Sequence, residues 1–104
     1  MNTPVNPELA KLLAEKKIRI KCLSVLSYEE AYYLHPTIAE VVMELYEKFG
    51  IWIWVEQFDT SNEFEWVCRY ENEGDCKDYD EILYKSPKEA YEAAIKYCLT
   101  DIIK

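Results

Sequence analysis

One run of the sequence constrains the fold most, because a capped amphipathic helix changes there directly into an aromatic strand. Thr37 and Glu40 are spaced as a capping box, in which each side chain satisfies a backbone N–H of the other residue. Behind the box, apolar residues recur at helical spacing as far as Phe49, and Gly50 is the residue type that ends a helix in the left-handed conformation. The sequence therefore predicts a helix over residues 37–49 and a strand over residues 51–58, IWIWVEQF.

Three further helices are predicted from their start signals. Ser86-Pro87-Lys88-Glu89 combines a capping box with a proline at the first helical position, and the apolar stripe behind it runs to the end of the sequence. Asn6-Pro7-Glu8 opens a first helix that we expect to end near Lys17. Ser27 and Glu30 have the spacing of another box, which predicts a short helix that ends before Pro36.

The remaining segments favour strands. Apolar and polar residues alternate over residues 64–70, with Val67 as the exception on the polar side, and this period of two is typical of a strand with one wet face. We expect residues 71–78 to form a turn around Gly74, residues 79–84 a third strand and residues 18–26 a fourth. The predicted fold is a single α+β domain over residues 1–104, with a small antiparallel sheet of three or four strands packed against helices. The predicted order is α–β–(α)–α–β–β–β–α, in which the bracket marks the short helix.

Net charge is concentrated in one segment. Residues 56–81 hold ten acidic residues against Arg69 and Lys77, and this segment supplies the whole net charge of −8. The one basic cluster is short and comprises Lys16, Lys17, Arg19 and Lys21. Because affinity for a phosphate backbone needs lysine and arginine, direct binding to nucleic acid is disfavoured.

The sequence predicts a soluble, cytoplasmic protein with no membrane association. No stretch approaches the roughly 20 apolar residues of a membrane helix, and residues 1–7 lack the pattern of a signal peptide. The four cysteines include no C-x-x-C pair, so we expect reduced structural thiols rather than a zinc site or disulfides.

Catalytic and cofactor sites are not predicted. His35 is the single histidine and has no recognisable nucleophile or orienting acid nearby, so we interpret it as a loop residue. The acidic loop around Gly74 places Arg69 where a calcium loop requires aspartate. We therefore predict a non-enzymatic protein without a cofactor or a metal.

Aromatic residues point instead to an interaction surface, since the chain has nine tyrosines and three tryptophans. Trp52 and Trp54 share one side of their predicted strand, and two alternatives stand open: they pack beneath the first helix, or they form an interface. The candidate interaction residues are Tyr32, Tyr33, Trp52, Trp54, Glu63, Glu65, Glu71, Glu73, Asp75 and Asp78.

Two stretches carry a resemblance to a known group. Residues 36–53 (PTIAEVVMELYEKFGIWI) and residues 86–95 (SPKEAYEAAI) resemble small uncharacterised proteins encoded in gut Bacteroides-type genomes and in their phages or integrated elements. The resemblance implies a mobile-element context. It implies no activity and no functional residue.

Three functions follow from these features. The leading hypothesis is a protein–protein interaction module that binds a basic protein partner, in one version as an acidic inhibitor or adaptor whose carboxylates imitate phosphates. The alternative is a protein that self-associates as a homodimer through the Trp52 and Trp54 face. A further alternative is a domain like the double-stranded-RNA-binding domains or toxin ribonucleases, which share the predicted α–β–β–β–α order but need a basic surface.

Overall fold

The computed structural model of the chain describes residues 3–57, 62–70, 75–78 and 83–103; for residues 70 and 75–78 it describes the backbone. These residues form three α-helices, two antiparallel sheets and a π-helical turn, which confirms the predicted α+β class. In chain order the elements are α1 (Pro7–Glu15), β1 (Val25–Tyr28), β2 (Ala31–Leu34), α2 (Ile38–Phe49), β3 (Ile51–Gln57), β4 (Phe64–Tyr70), β5 (Asp75–Asp78), α3 (Pro87–Tyr97) and the π-helical turn (Cys98–Ile102).

The predicted caps of α2 are present. The Thr37 hydroxyl accepts the Glu40 N–H at 3.2 Å, and the Glu40 carboxylate accepts the Thr37 N–H at 2.7 Å. Gly50 ends the helix with φ 68°, a conformation that costs glycine little because it has no Cβ. The chain turns there directly into β3, as the sequence predicts.

The larger sheet is an antiparallel meander in the order β3–β4–β5. In its register Ile53 lies opposite Cys68 and Trp54 opposite Val67. The helix α3 packs across β3 and β4, and α2 packs on β3 and α3. The core therefore lies between the helices and one face of this sheet, and its buried sheet residues are Ile51, Ile53, Trp66 and Cys68.

The helix α1 packs on the β1–β2 hairpin and on α3. Two polar contacts fix it to α3: the Glu92 carboxylate accepts the backbone N–H of Asn6 at 2.8 Å, and Lys96 pairs with Glu8 at 2.9 Å. The larger sheet receives its helical cover from α2 and α3, on the face that carries Ile51 and Ile53. The alternative in which Trp52 packs beneath the first helix is therefore wrong, because Trp52 lies on the opposite face and is exposed.

A β-hairpin replaces the short helix predicted after Ser27. β1 and β2 pair antiparallel, with Tyr28 opposite Ala31, and Glu29 and Glu30 form a two-residue loop with φ 52° and 64°. Positive φ at both loop positions is the type I′ geometry that matches the twist of the flanking strands. The spacing of Ser27 and Glu30 therefore imitates a capping box without forming one.

Two strand predictions also need correction. Residues 18–26 do not form a strand of the larger sheet: residues 18–24 lie outside regular structure, and residues 25 and 26 open the separate hairpin. The third strand of the meander is Asp75–Asp78, in the segment predicted as a turn. Of the strand predicted over residues 79–84, residues 79–82 lie outside the described residues, and Tyr84 forms a single bridge with Phe64.

Candidate interaction surface

An aromatic surface forms where α2 turns into β3. Met43, Tyr46 and Gly50 follow one another at intervals of three and four residues, so they lie along one side of the helix. The turn at Gly50 brings β3 back beside this side, and Trp52 then lies next to Tyr46. We call this surface the aromatic patch; it is a shallow depression lined by Met43, Tyr46, Gly50, Trp52 and Arg69.

The aromatic patch is open to solvent although most of its surface is apolar. The exposed fractions are 51% for Met43, 47% for Tyr46 and 42% for Trp52. The rings of Tyr46 and Trp52 meet edge to face, with centroids 4.8 Å apart and planes at 71°, which is a favourable aromatic geometry. Arg69 is the register partner of Trp52 on β4 and is also exposed. Thus the question that the sequence left open is decided for Trp52, which lies at the surface.

Carboxylates lie further along the same sheet. Trp54 is half-buried, and its indole N–H donates to the Glu56 carboxylate at 3.0 Å. Glu56 is exposed and lies opposite Glu65 in the register of β3 and β4. Glu63 and Glu65 are half-buried, and each takes part in a polar or electrostatic interaction. One end of the sheet surface is thus aromatic and the other is acidic.

The predicted interaction residues do not all come together. Tyr32 and Tyr33 lie on β2 and line a different cavity, which shares no lining residue with the aromatic patch. Glu71 and Glu73 lie outside the described residues. Asp75 and Asp78 belong to β5 by their backbone, and their side chains lie outside the description. From the predicted set, the larger sheet therefore brings together the side chains of Trp52, Trp54 and Glu65, and Glu63 directly precedes β4.

Sequence reasoning missed the other members of the patch. The helical spacing of apolar residues up to Phe49 predicts Tyr46 as a member of the apolar stripe of α2, whereas Tyr46 is exposed. Met43 had a usable signal, since it is an apolar residue outside the stripe of a well-capped helix. Arg69 had none, because an arginine on the wet side of a strand is common.

The two buried thiols of the core form no reactive site. Cys22, Cys68 and Cys98 are free, and the sulfur atoms of Cys68 and Cys98 lie 3.7 Å apart in the core. The hydrogen bond with Cys68, together with burial, raises the pKa of the Cys98 thiol far above its usual range. Cys98 therefore stays protonated at neutral pH, and a neutral thiol is a poor nucleophile.

His35 has a structural contact. It lies between β2 and α2, and its Nε2 donates to the carbonyl oxygen of Val5 at 2.7 Å, since a carbonyl can only accept. Within the described parts of the chain, no group of three His, Cys, Asp or Glu residues is arranged to hold a metal ion. Among the helices of residues 3–57 and 83–103, none has the length and apolar character needed to cross a bilayer.

Comparison with known proteins finds no matching family model and no significant match among curated proteins or solved structures. Function must therefore be inferred from the surface of the chain itself.

Proposed function

We propose that this chain is a non-enzymatic protein-binding domain that docks a basic partner protein against the aromatic patch. The exposed Tyr46–Trp52 pair carries this proposal. Tryptophan, tyrosine and arginine are the residue types most enriched at binding hot spots, and the patch holds one of each, with Met43 beside them. Covering these side chains with a partner would remove a contiguous apolar area from water.

The charge of the surrounding surface supports a basic partner. The segment of residues 56–81 carries the whole net charge of −8, and Glu56 and Glu65 lie on the same sheet as the aromatic patch. Opposite charges at the rim of an interface mainly raise the association rate and select the partner. Arg69, the cation among the described residues of the patch, would pair with a carboxylate or carbonyl of the partner and fix its orientation.

An acidic inhibitor or adaptor from a mobile element, acting in the cytoplasm, is the specific version of this function that we favour. Its partner would be a nucleic-acid-binding protein, whose basic surface suits a carboxylate-rich ligand. Direct nucleic-acid binding has less support. Lys88, the lysine in the first turn of α3, is already paired with Glu92 at 2.9 Å, so the helix start offers little free positive charge.

Capture of partners with three variants tests the proposal. Wild type, Trp52→Ala and the double variant Glu56→Gln/Glu65→Gln are immobilised. A matched control, Tyr32→Ala, removes an exposed aromatic residue that does not line the aromatic patch. We expect wild type and Tyr32→Ala to retain a basic protein at physiological salt. Trp52→Ala should lose this protein, and the double variant should retain it weakly. Equal retention by Trp52→Ala and wild type would contradict the proposal.

Self-association is a second candidate, favoured by the edge of β3. β4 pairs with one edge of β3, and no strand in the described part of the chain pairs with the other. An edge strand of seven residues, of which the first five are apolar, is a template for a second copy, and such pairing would join two aromatic patches into one surface. Light scattering over a concentration series tests this candidate. A mass that rises in wild type and not in Trp52→Ala/Trp54→Ala supports it, whereas monomeric mass throughout contradicts it.

A further inference from the structure

We propose that the cavity between α1 and β2 binds a small amphiphile with an apolar body and one anionic head group. This α1–β2 cavity has a volume of about 380 Å³, at the lower end of the range for small-molecule sites. It lies apart from the aromatic patch, so the inference is independent of the proposed function.

The cavity is apolar over most of its wall. α1 contributes its C-terminal half, the extended segment after the helix contributes residues 17–20, and β2 contributes its last three residues together with Pro36. The lining side chains that carry no charge or hydroxyl are Ala10, Leu13, Ala14, Ile18, Ile20, Leu34 and Pro36. Such a wall gains free energy by removing a hydrocarbon or aromatic body from water.

The charged residues of the lining are all positive. Lys17 and Arg19 line the cavity, and the described residues of the lining include no acidic side chain. Among the described residues, neither cation has an ion-pair partner, because the salt bridges of residues 3–57 and 83–103 use Lys11, Lys48, Lys88 and Lys96. A chain with a net charge of −8 thus places two unpaired cations at the opening of an apolar cavity, and this arrangement complements an anionic head group.

The backbone around the cavity is compatible with an anion. The C-terminal end of a helix normally repels negative charge through its free carbonyl groups. Here Lys17 N–H bonds to the Ala14 carbonyl at 3.0 Å and Ile18 N–H to the Leu13 carbonyl at 2.9 Å, which is the Schellman pattern. These carbonyls are engaged, and the same turn places Lys17 at the opening. Glu29, on the neighbouring hairpin loop, is held by Lys11.

A titration followed by two-dimensional amide NMR tests the inference with defined probes. Decanoate and decyl phosphate supply the two anionic head groups on one apolar body, and decylammonium supplies the opposite charge; all are kept below their micelle concentrations. We expect saturable shifts at residues 17–20 and 32–34 with the anions and no saturable shift with decylammonium. The tighter of the two anions identifies the head group as carboxylate or phosphate.

Variants separate charge from shape. Lys17→Asn removes the charge and keeps a residue that tolerates positive φ, and we expect affinity for the better anion to fall about tenfold. Lys85→Asn makes the same charge change at a residue outside the lining of the α1–β2 cavity. This variant should bind the anion as wild type does. Ala14→Leu adds three carbon atoms to the cavity wall and should weaken binding without a change in charge.

Two outcomes would overturn the inference, and both can be read on wild type alone. One is the absence of saturable shifts with either anion; the other is equal binding of decylammonium and decanoate. Trp52→Ala should bind the anion as wild type does, so failure of this site and failure of the aromatic patch are distinguishable.

Discussion

The indole of Trp52 lies edge-on against the phenol of Tyr46, with the ring centroids 4.8 Å apart. Tyr46 belongs to the last turn of α2 and Trp52 is the second residue of β3, so the contact spans the point where the helix ends and the strand begins. Gly50, with φ 68°, makes that reversal possible. The aromatic patch therefore depends on how the helix terminates.

Gly50→Ala should lower the free energy of unfolding by about 1–2 kcal/mol, because a Cβ is disfavoured in the left-handed conformation. Urea denaturation followed by circular dichroism measures the change. Glu47→Ala, an exposed substitution in the same turn of α2, serves as the control and should change stability by less than about 0.5 kcal/mol. Equal urea midpoints for Gly50→Ala and Glu47→Ala would contradict this prediction, since they would show that a Cβ at position 50 does not strain the turn.

Lys17→Gly should raise the free energy of unfolding by about 0.5–1 kcal/mol. Lys17 occupies the left-handed position after α1 with φ 60°, and the relief of its strain exceeds the added entropy of glycine in the unfolded chain. Lys16→Gly is the matched control. Lys16 has φ −82°, so glycine gains nothing there and should destabilise the helix end. In thermal denaturation the midpoint of Lys17→Gly should lie above that of wild type, and the midpoint of Lys16→Gly should lie below it. A midpoint of Lys17→Gly below that of wild type contradicts this prediction.

Stability should fall at alkaline pH through Cys98. Its pKa is raised above the ordinary value of 9.0 by the hydrogen bond with Cys68, which favours the protonated thiol, and by burial, so the folded chain keeps a proton that the unfolded chain releases. This contribution is therefore complete below pH 9 and is lost as the pH rises above 9. Between pH 8 and pH 10 the unfolding free energy of wild type should therefore fall by more than that of Cys98→Ala. A difference that is independent of pH would contradict the assignment.

Thiol labelling at pH 8 gives a second readout of the same pair. Cys22 is half-buried and lies outside the core, whereas Cys68 and Cys98 are fully buried. Iodoacetamide should modify Cys22 in the native protein, and it should modify the buried pair only as fast as unfolding exposes it. Peptide mapping by mass spectrometry measures both rates. Labelling of Cys98 as fast as Cys22 would show that the core is open at this position.

Local chemistry made α2, α3, β3 and β4 predictable. Each of these helices begins with a side-chain cap, and α2 ends at a glycine, so the signals lie within a few residues of the structure they specify. The β-branched and aromatic run of β3 and the alternation of β4 are equally local. The predicted helix at the C-terminal end differs only in its last turn, which widens into a π-helical turn at Cys98.

The hairpin was not predictable because its loop has the wrong residue types. Two successive residues with positive φ are usually Asn-Gly, and here they are Glu29 and Glu30. The pairing of β5 with β4 was hidden for another reason, since an acidic edge strand resembles a solvated turn in sequence. Which side of β3 faces water depends on where α3 packs, and no residue within the strand encodes that choice.

The measurement that tests the proposed function most directly is photo-crosslinking in cells. In one variant a benzophenone amino acid replaces Met43 in the aromatic patch. In a second variant of the same chain it replaces Tyr32, on the surface that the proposal leaves free. The proposal predicts a crosslink from position 43 to one basic protein, lost when Trp52→Ala is added, and no such product from position 32. The same product from both positions, a product unaffected by Trp52→Ala, or a crosslink from position 43 only to a second copy of the chain would contradict it.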